Sequence, residues 1–385
     1  MSRIVNRYIL REIYIPFFMI LFILTFVLLM GRILQLMDLM INKGIDFTDI
    51  AKLILYLMPS FLMITIPVSL LISILIGMGR LSRDNEILVL KSSGLSLYQL
   101  MPPVAIASLC AFLITVITGF FLIPYGNLAT KNLLFDIAKQ KASIGIKERI
   151  FNDNFAGLVL YAEEIPQHGD YMKGLFICDN RMLEESATII AKKGYLISSP
   201  ESMQVTLRLK NGSIHTTNAD LTNYKKIDFS SYDINLDLSE SIGGKNKPIT
   251  KDSKEMSLFE LIRKSRTPGL KKAVLKDFII EIHKKFTIPF SCIIFGIIGV
   301  PLGIAKHRSG KSRGFVTGII VVMIYYVFQL GGEALGETGI FSPATGAWMS
   351  NLILGVIGVY MLVMTAKENP LVPAGIRHIG KRILK

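Results

Sequence analysis

The apolar positions of this chain fall into long blocks. Residues 53–79 carry no charged side chain, and residues 92–130 carry none until Lys131. About 20 helical residues cross the hydrocarbon core of a bilayer, so blocks of this length predict membrane-spanning helices. Six are predicted, at roughly Ile13–Gly31, Leu53–Met78, Leu100–Ile123, Phe286–Ala305, Gly314–Gly332 and Ala344–Thr365. The first is too long for the apolar core of a secretory signal, and no small-residue cleavage site follows it. Between the third and fourth spans the period shifts to two. Met203, Val205, Leu207 and Leu209 alternate with Gln204, Thr206, Arg208 and Lys210. Ile234, Leu236 and Leu238 share one face of a second such run, and Leu158–Tyr161, Gly174–Cys178 and Thr188–Ala191 read as further strands. Asn211-Gly212 is a hairpin-turn signal between strands. The expected architecture is six transmembrane α-helices in a 3+3 arrangement around an inserted β-domain with one apolar face. That face is either a closed core or an open apolar groove, and the pattern does not separate the two. The expected divisions are 1–130, 131–254 and 255–385.

Residues 240–254 read as a linker rich in glycine and lysine. Ser257–Lys264 and Leu270–Lys285 read as amphipathic helices. The second carries Val274, Phe278 and Ile282 at a spacing of four and runs into the fourth span, as its continuation or as a surface helix.

Composition agrees with this division. The chain is 51% hydrophobic and 19% charged, with a mean hydropathy of +0.48. That excludes a disordered tail, a coiled coil and an ordinary soluble enzyme. The net charge of +14 matters less than where the bases lie. One side collects Arg3, Arg7 and Arg11, then Arg80, Arg83 and Lys91, then Lys306, Arg308, Lys311 and Arg313, and finally Lys367, Arg377, Lys381, Arg382 and Lys385. The 333–339 stretch on the other side has Glu333 and Glu337 and no base. The positive-inside rule puts both termini in the cytoplasm and the β-domain outside. Cys110, Cys178 and Cys292 make no disulfide framework.

The catalytic inventory is poor. The five histidines are scattered and form no His-Glu-x-x-His pair, and there is no Gly-x-Ser-x-Gly elbow. No carboxylate pair is expected within a span. Gly310-Lys311-Ser312 resembles the end of a phosphate-binding loop. However, the loop's first glycine is replaced by Ala305, and a span stands where the strand belongs. No metal or cofactor site and no nucleic-acid site is predicted. Uphill work would need energy from a partner.

The 80–99 segment is the most informative. Ser82 is placed to cap a short helix, Asp84 and Glu86 fall in its first turn, and Gly94 ends it. Pro102 and Pro103 suit the first turn of the next span. Ile87, Leu88 and Leu90 are more apolar than a solvated loop requires, which fits either an interfacial helix or one that plugs into a partner.

The Glu86-Ile87-x-x-Leu90-Lys91-x-Ser93-Gly94 pattern resembles the coupling region of the LptF/LptG permease family, the transmembrane subunits of the lipopolysaccharide-export ABC transporter. Arg7-Tyr8-Ile9-Leu10-Arg11-Glu12 is similar to the family's Arg-Tyr-x-x-x-Glu opening. The Ile282–Pro289 stretch and Val300-Pro301-Leu302-Gly303 are similar as well, and the likeness covers essentially the whole chain, nearer the LptF branch. The resemblance implies a bacterial inner-membrane permease, not itself an enzyme, whose β-domain is β-jellyroll-like with acyl chains in its groove. It implies an LptB-like ATPase dimer, a second permease of the LptG/LptF kind, an LptC-like anchored jellyroll, an LptA-like periplasmic bridge and lipopolysaccharide as partners. It carries ATPase coupling to Glu86, with Arg83, Asp84, Ile87 and Leu88 around it, and lipid-phosphate binding to Arg32. The family's further bases at the outer end of the fifth span are absent from Gly331-Gly332-Glu333-Ala334. The competing readings are a mechanotransmission ABC subunit for lipoprotein release or efflux, disfavoured by a domain after the third span, and a membrane sensor, disfavoured by the lack of a cytoplasmic output domain.

Overall fold

The structure, a computed structural model, describes residues 3–43, 46–145, 148–155, 157–166, 171–181, 185–199, 204–218, 224–236, 253, 256–305 and 313–368. The predicted 240–254 linker (Ser253 apart), the Gly310-Lys311-Ser312 turn, Met203 and the basic C-terminal residues from Arg377 on lie outside them. The chain divides into two compact units, Met1–Asn127 with Asp252–Lys385, and Leu128–Lys251.

Among the described residues six helices are long and apolar enough to cross a membrane, in the predicted order. They are α1 (Arg3–Lys43), α2 (Phe47–Arg83), a third rod from α4 (Met101–Ile117) into α5 (Ile123–Gly145), α7 (Lys272–Ile304), α8 (Arg313–Thr338) and α9 (Pro343–Ala366). The helices run past the predicted span ends. α1 has 41 residues, about 60 Å at 1.5 Å per residue, twice a hydrocarbon core. α2 continues through Pro59 and Pro67. The third rod carries a π-turn at Thr118–Leu122 just before Pro124. Proline lacks an N–H and clashes with the carbonyl four residues back, and the wider turn absorbs both defects. The amphipathic segment from Lys272 is continuous with the fourth span, and Phe278 packs with Leu261 of the short helix α6 (Leu258–Ser265) and with Met256 just before it. α6 starts on a capping box between Ser257 and Glu260.

α2 and α7 are the centre of the bundle. One buried cluster joins Ile9, Ile13 and Phe17 of α1 to Leu70, Ile74 and Met78 of α2, Val104 and Ala107 of α4, and Val300 of α7. A second joins Leu71 and Leu75 of α2 to Phe295 and Ile298 of α7, Tyr325 of α8 and Leu354 of α9. Lipid tails are as apolar as leucine, so such clusters hold by packing and internal polar contacts, not by escape from water.

The second unit carries one six-stranded antiparallel sheet in the order β1-β2-β3-β4-β5-β6. The strands are Phe151–Phe155, Leu158–Glu164, Tyr171–Asp179, Glu185–Ser199, Gln204–Asn218 and Tyr224–Leu236. The alternating segment does not turn back at Asn211-Gly212, as its sequence predicts. β5 runs straight through. Asn211 has φ +56° and Gly174 φ +60°. Glu163, Gly174, Lys192, Asn211 and Ser230 stand opposite one another across β2 to β6, and at each of these positions the ladder skips a pair. This line is a crease. Along it every strand loses one residue from the alternation, as at a β-bulge, so the apolar face stays continuous while the strands bend. Met172 and Leu175 are both buried although three apart in β3, and so are Leu160 and Leu209 on opposite sides of the line. Both sides feed one cluster of Leu158, Leu160, Leu175, Ile189, Leu207 and Ile234, among others. Asn-Gly reads as a hairpin because a hairpin turn and this crease need the same left-handed backbone. The residues of this cluster are buried.

Candidate coupling site and polar networks

The loop between the second and third spans folds tightly. α2 ends at Arg83, Asn85 takes φ +57°, and the helix α3 covers Glu86–Ser92. Ser82 therefore does not cap it. Its hydroxyl donates to the Ile304 carbonyl of α7 at 3.0 Å. The predicted Ser82–Ser93 helix is thus shorter, because Asn85 in the left-handed region breaks it from α2. Gly94 ends α3 as predicted: at φ +85° its N–H reaches the Lys91 carbonyl, and the Leu95 N–H reaches that of Leu90.

α3 is amphipathic toward the bundle. Ile87 is buried at 4% exposure in the α1–α2–α4 cluster, while Leu88 at 53% and Val89 at 63% face outward. Of the five residues carried over to coupling, Leu88, Arg83 and Asp84 are exposed, Glu86 is half-buried and Ile87 anchors the helix from inside. The Glu86 carboxylate accepts from the Tyr8 hydroxyl of α1 at 3.0 Å. Arg80, in the last turn of α2, pairs with Glu12 of α1 at 2.7 Å and lies 3.6 Å from Asp84. Lys91 pairs with Glu368, just past α9, at 3.1 Å. A seven-residue helix is thereby tied to α1, to the core and to the end of α9. Sequence reasoning marked Tyr8 and Glu12 only as part of a family pattern, since no rule of spacing links residues about 70 positions apart.

Arg32 lies within α1, near the end of the candidate span Arg3–Leu34, and is exposed. The structure does not bring it together with the coupling residues, which sit near the amino-terminal end of the same helix.

A second polar group joins α7, α8 and α9, its charged members just outside the predicted bounds of the fourth and fifth spans. Lys284 of α7 is 3.1 Å from Glu281 and 3.1 Å from Glu333 of α8. Gln329 donates to Glu333 at 2.9 Å, and Ser350 of α9 donates to Gln329 at 2.6 Å. Lys285 is buried and points at the Gly119 carbonyl of the π-turn at 3.5 Å. Glu333 is thus not a loop residue but the hub joining three helices. The sequence pattern does not show this group because it is formed by helices about 50 residues apart, and because α7 begins before Phe286 and α8 extends past Gly332. Two carboxylates and two ammonium groups make the group neutral overall, which is how charge survives in a bundle interior. Among the described residues no three His, Cys, Asp or Glu side chains are grouped as metal ligands.

In the second unit, Arg208 and Asp233 pair across β5 and β6 through two bonds of 2.8 Å, which hold the Asp233 carboxyl below its usual range. Burial pushes the Asp179 carboxyl up, but the Arg181 guanidinium and backbone N–H outweigh it and leave it below the ordinary value.

Six spanning helices, a short tethered helix between the second and third, and a creased sheet between the third and fourth define a multi-pass membrane permease with an inserted β-domain. Residues 7–364 match the family of the lipopolysaccharide export system permeases LptF/LptG, and the chain belongs to that family. It is 22% identical to an uncharacterized protein of Rickettsia prowazekii (strain Madrid E) over 364 residues, 93% of this chain and 98% of that one. It is 19% identical to the lipopolysaccharide export system permease protein LptF of Escherichia coli (strain K12) over 361 residues, 93% of this chain and 94% of that one. Members of this family are membrane subunits of a transporter, and the chain is a multi-pass protein of the inner membrane.

Proposed function

We propose that this chain is the LptF-like half of an ABC exporter that draws lipopolysaccharide out of the inner membrane and passes it to a periplasmic bridge. Both termini and α3 face the cytoplasm in this reading, and the inserted domain, about residues 131–254, faces the periplasm. α3 meets an LptB-like ATPase dimer through Glu86, Arg83, Asp84 and Leu88, with Val89 beside them. ATP binding closes that dimer and moves α3, and the motion narrows a cavity shared with an LptG-like permease. Arg32 grips a lipid phosphate, for which a guanidinium is suited by its paired donors. Acyl chains then pass along the inserted sheet toward LptC-like and LptA-like jellyrolls.

The observation that carries this reading is α3 itself. It exposes Leu88 and Val89 beside a half-buried carboxylate; Tyr8 ties it to α1, and the end of α2 just before it is held to α1 by Arg80 and to α7 by Ser82. An exposed apolar pair on a short, anchored helix suits a partner's groove better than water. In a closed sheet core, the Leu158–Ile234 cluster would have to open for acyl chains to enter, and the crease is a natural place for that bend.

The test is purification of the tagged chain from its native membrane in mild detergent, with mass spectrometry of what accompanies it. A nucleotide-hydrolysing subunit, a second six-span permease and lipid A species are the expected companions. A chain that comes alone, in a detergent that keeps known transporters assembled, rejects the proposal. Glu86→Ala should then release the ATPase without unfolding the permease.

A further inference from the structure

The function proposed above uses the Arg-Tyr-x-x-x-Glu opening only as an anchor for the α2–α3 corner. Tyr8 and Glu12 are four residues apart on α1 and so share one face. Tyr8 bonds Glu86 at 3.0 Å, and Glu12 bonds Arg80 at 2.7 Å. These two partners flank the α2–α3 corner, Arg80 before it and Glu86 after it. A Cβ on Gly77 would stand 2.8 Å from the Glu12 carbonyl oxygen, so the two backbones touch one turn before Arg80. This close approach is what lets the shorter Glu12 side chain reach across.

α3 needs such a hold. It is seven residues long and enters through a left-handed Asn85 and leaves through a left-handed Gly94. A helix between two such joints is free to swing unless side chains tether it. Ile87 fixes its inner face, and the Lys91–Glu368 pair restrains its far end. Of these, Ile87 alone holds the first turn, through apolar packing without a directional bond.

We infer that Tyr8 and Glu12 are positioning residues, a latch that holds the α2–α3 corner to α1 so that force on α3 moves α1 and α2 together. The inference rests on the ATPase-coupled reading for its consequence, though not for the latch itself. Without the latch, α3 still docks through Glu86, Leu88 and Val89, but it yields at Asn85 instead of passing the motion on.

Two readouts separate the latch from the function it would serve. The first is amide exchange of the purified full-length chain across residues 86–92. Tyr8→Phe keeps the ring and removes one hydrogen bond, so exchange there should quicken roughly threefold to tenfold, with α2 and α7 unchanged. Unchanged exchange overturns the latch whatever the chain transports. The second is lipopolysaccharide released per ATP by the complex in liposomes of its native lipids. Tyr8→Phe and Glu12→Gln should keep the ATPase bound and lower that ratio roughly threefold to tenfold. The charge-exchanged pair Glu12→Arg with Arg80→Glu should recover at least part of it. Loss of bound ATPase in step with lost release would overturn the positioning role, since the residues would then serve docking or folding. A wild-type chain that binds no ATPase overturns the proposed function and with it the transport consequence, and the exchange rates then decide the latch by themselves.

Discussion

Removing the Lys284 ammonium would leave Glu281 and Glu333 facing one another inside the bundle. Both oxygens lie 3.1 Å from that nitrogen, and the three side chains are 19%, 11% and 14% exposed. Each contact is worth about 5 kcal/mol at an effective dielectric of about 20, before the cost of taking the charges out of water. That cost consumes most of the gain, and breaking a buried pair by deleting one partner typically costs about 3–5 kcal/mol. Partial exposure places Lys284→Met near the lower figure, about 3 kcal/mol, or roughly a hundredfold in the unfolding equilibrium. Methionine keeps the length of the stem, so packing changes little. The quadruple change Lys284→Met, Lys285→Met, Glu281→Gln and Glu333→Gln removes all four charges, the buried Lys285 included, and should return to within about 1 kcal/mol of the parent. Trp348 reports on the site. It is the chain's single tryptophan, its indole N–H faces His283 Nδ1 at 3.4 Å and its ring meets Phe290 at 5.5 Å. Unfolding in detergent mixed with rising sodium dodecyl sulfate, followed by Trp348 fluorescence, gives the free energies. A quadruple variant as weak as Lys284→Met would mean that the loss comes from packing, which refutes its assignment to charge.

Gly332 of α8 and Gly346 of α9 each sit against the other's carbonyl oxygen. Gly332→Ala should push the helices apart and cost about 2 kcal/mol by the same fluorescence titration, against a much smaller effect at Gly331, which has open space around it. Asn211 holds φ +56° at the crease, so Asn211→Val should destabilise the sheet by about 1–2 kcal/mol while Asn211→Gly is neutral or stabilising, measured by loss of the strand signal in circular dichroism. Asp233 and Asp179 both titrate below the ordinary carboxylate value in the fold. Their contribution is therefore complete above the unfolded value of 3.8 and is lost as pH falls through the lower folded values. Arg208→Gln with Arg181→Gln should remove part of the acid sensitivity below about pH 4, seen as a flatter dependence of the sheet's melting on pH.

What the sequence by itself determined was set by local chemistry. Charge-free blocks longer than a bilayer is thick leave the backbone no other way to satisfy its hydrogen bonds than to become helices, so the six spans and their order follow from composition along the chain. The period-two alternation likewise fixed strands with one apolar face, Gly94 fixed the end of α3, and Pro102-Pro103 fixed the start of the third span. These signals act over a few residues.

The tertiary structure decided what depends on distant partners. Asn211-Gly212 carries the same left-handed preference in a hairpin and in a crease, and only β4 and β6, lined up beside it, make it a crease. Ser82 has the chemistry of a cap, yet a carbonyl at the end of α7 claims its hydroxyl. Glu333 looks like an acidic loop residue until Lys284 comes within 3.1 Å of it. Tyr8 and Glu86 are 78 positions apart, and no local pattern joins them. Pairs of this kind exist because packing brings segments far apart in the chain to close range, and the sequence names the groups without naming the pairs.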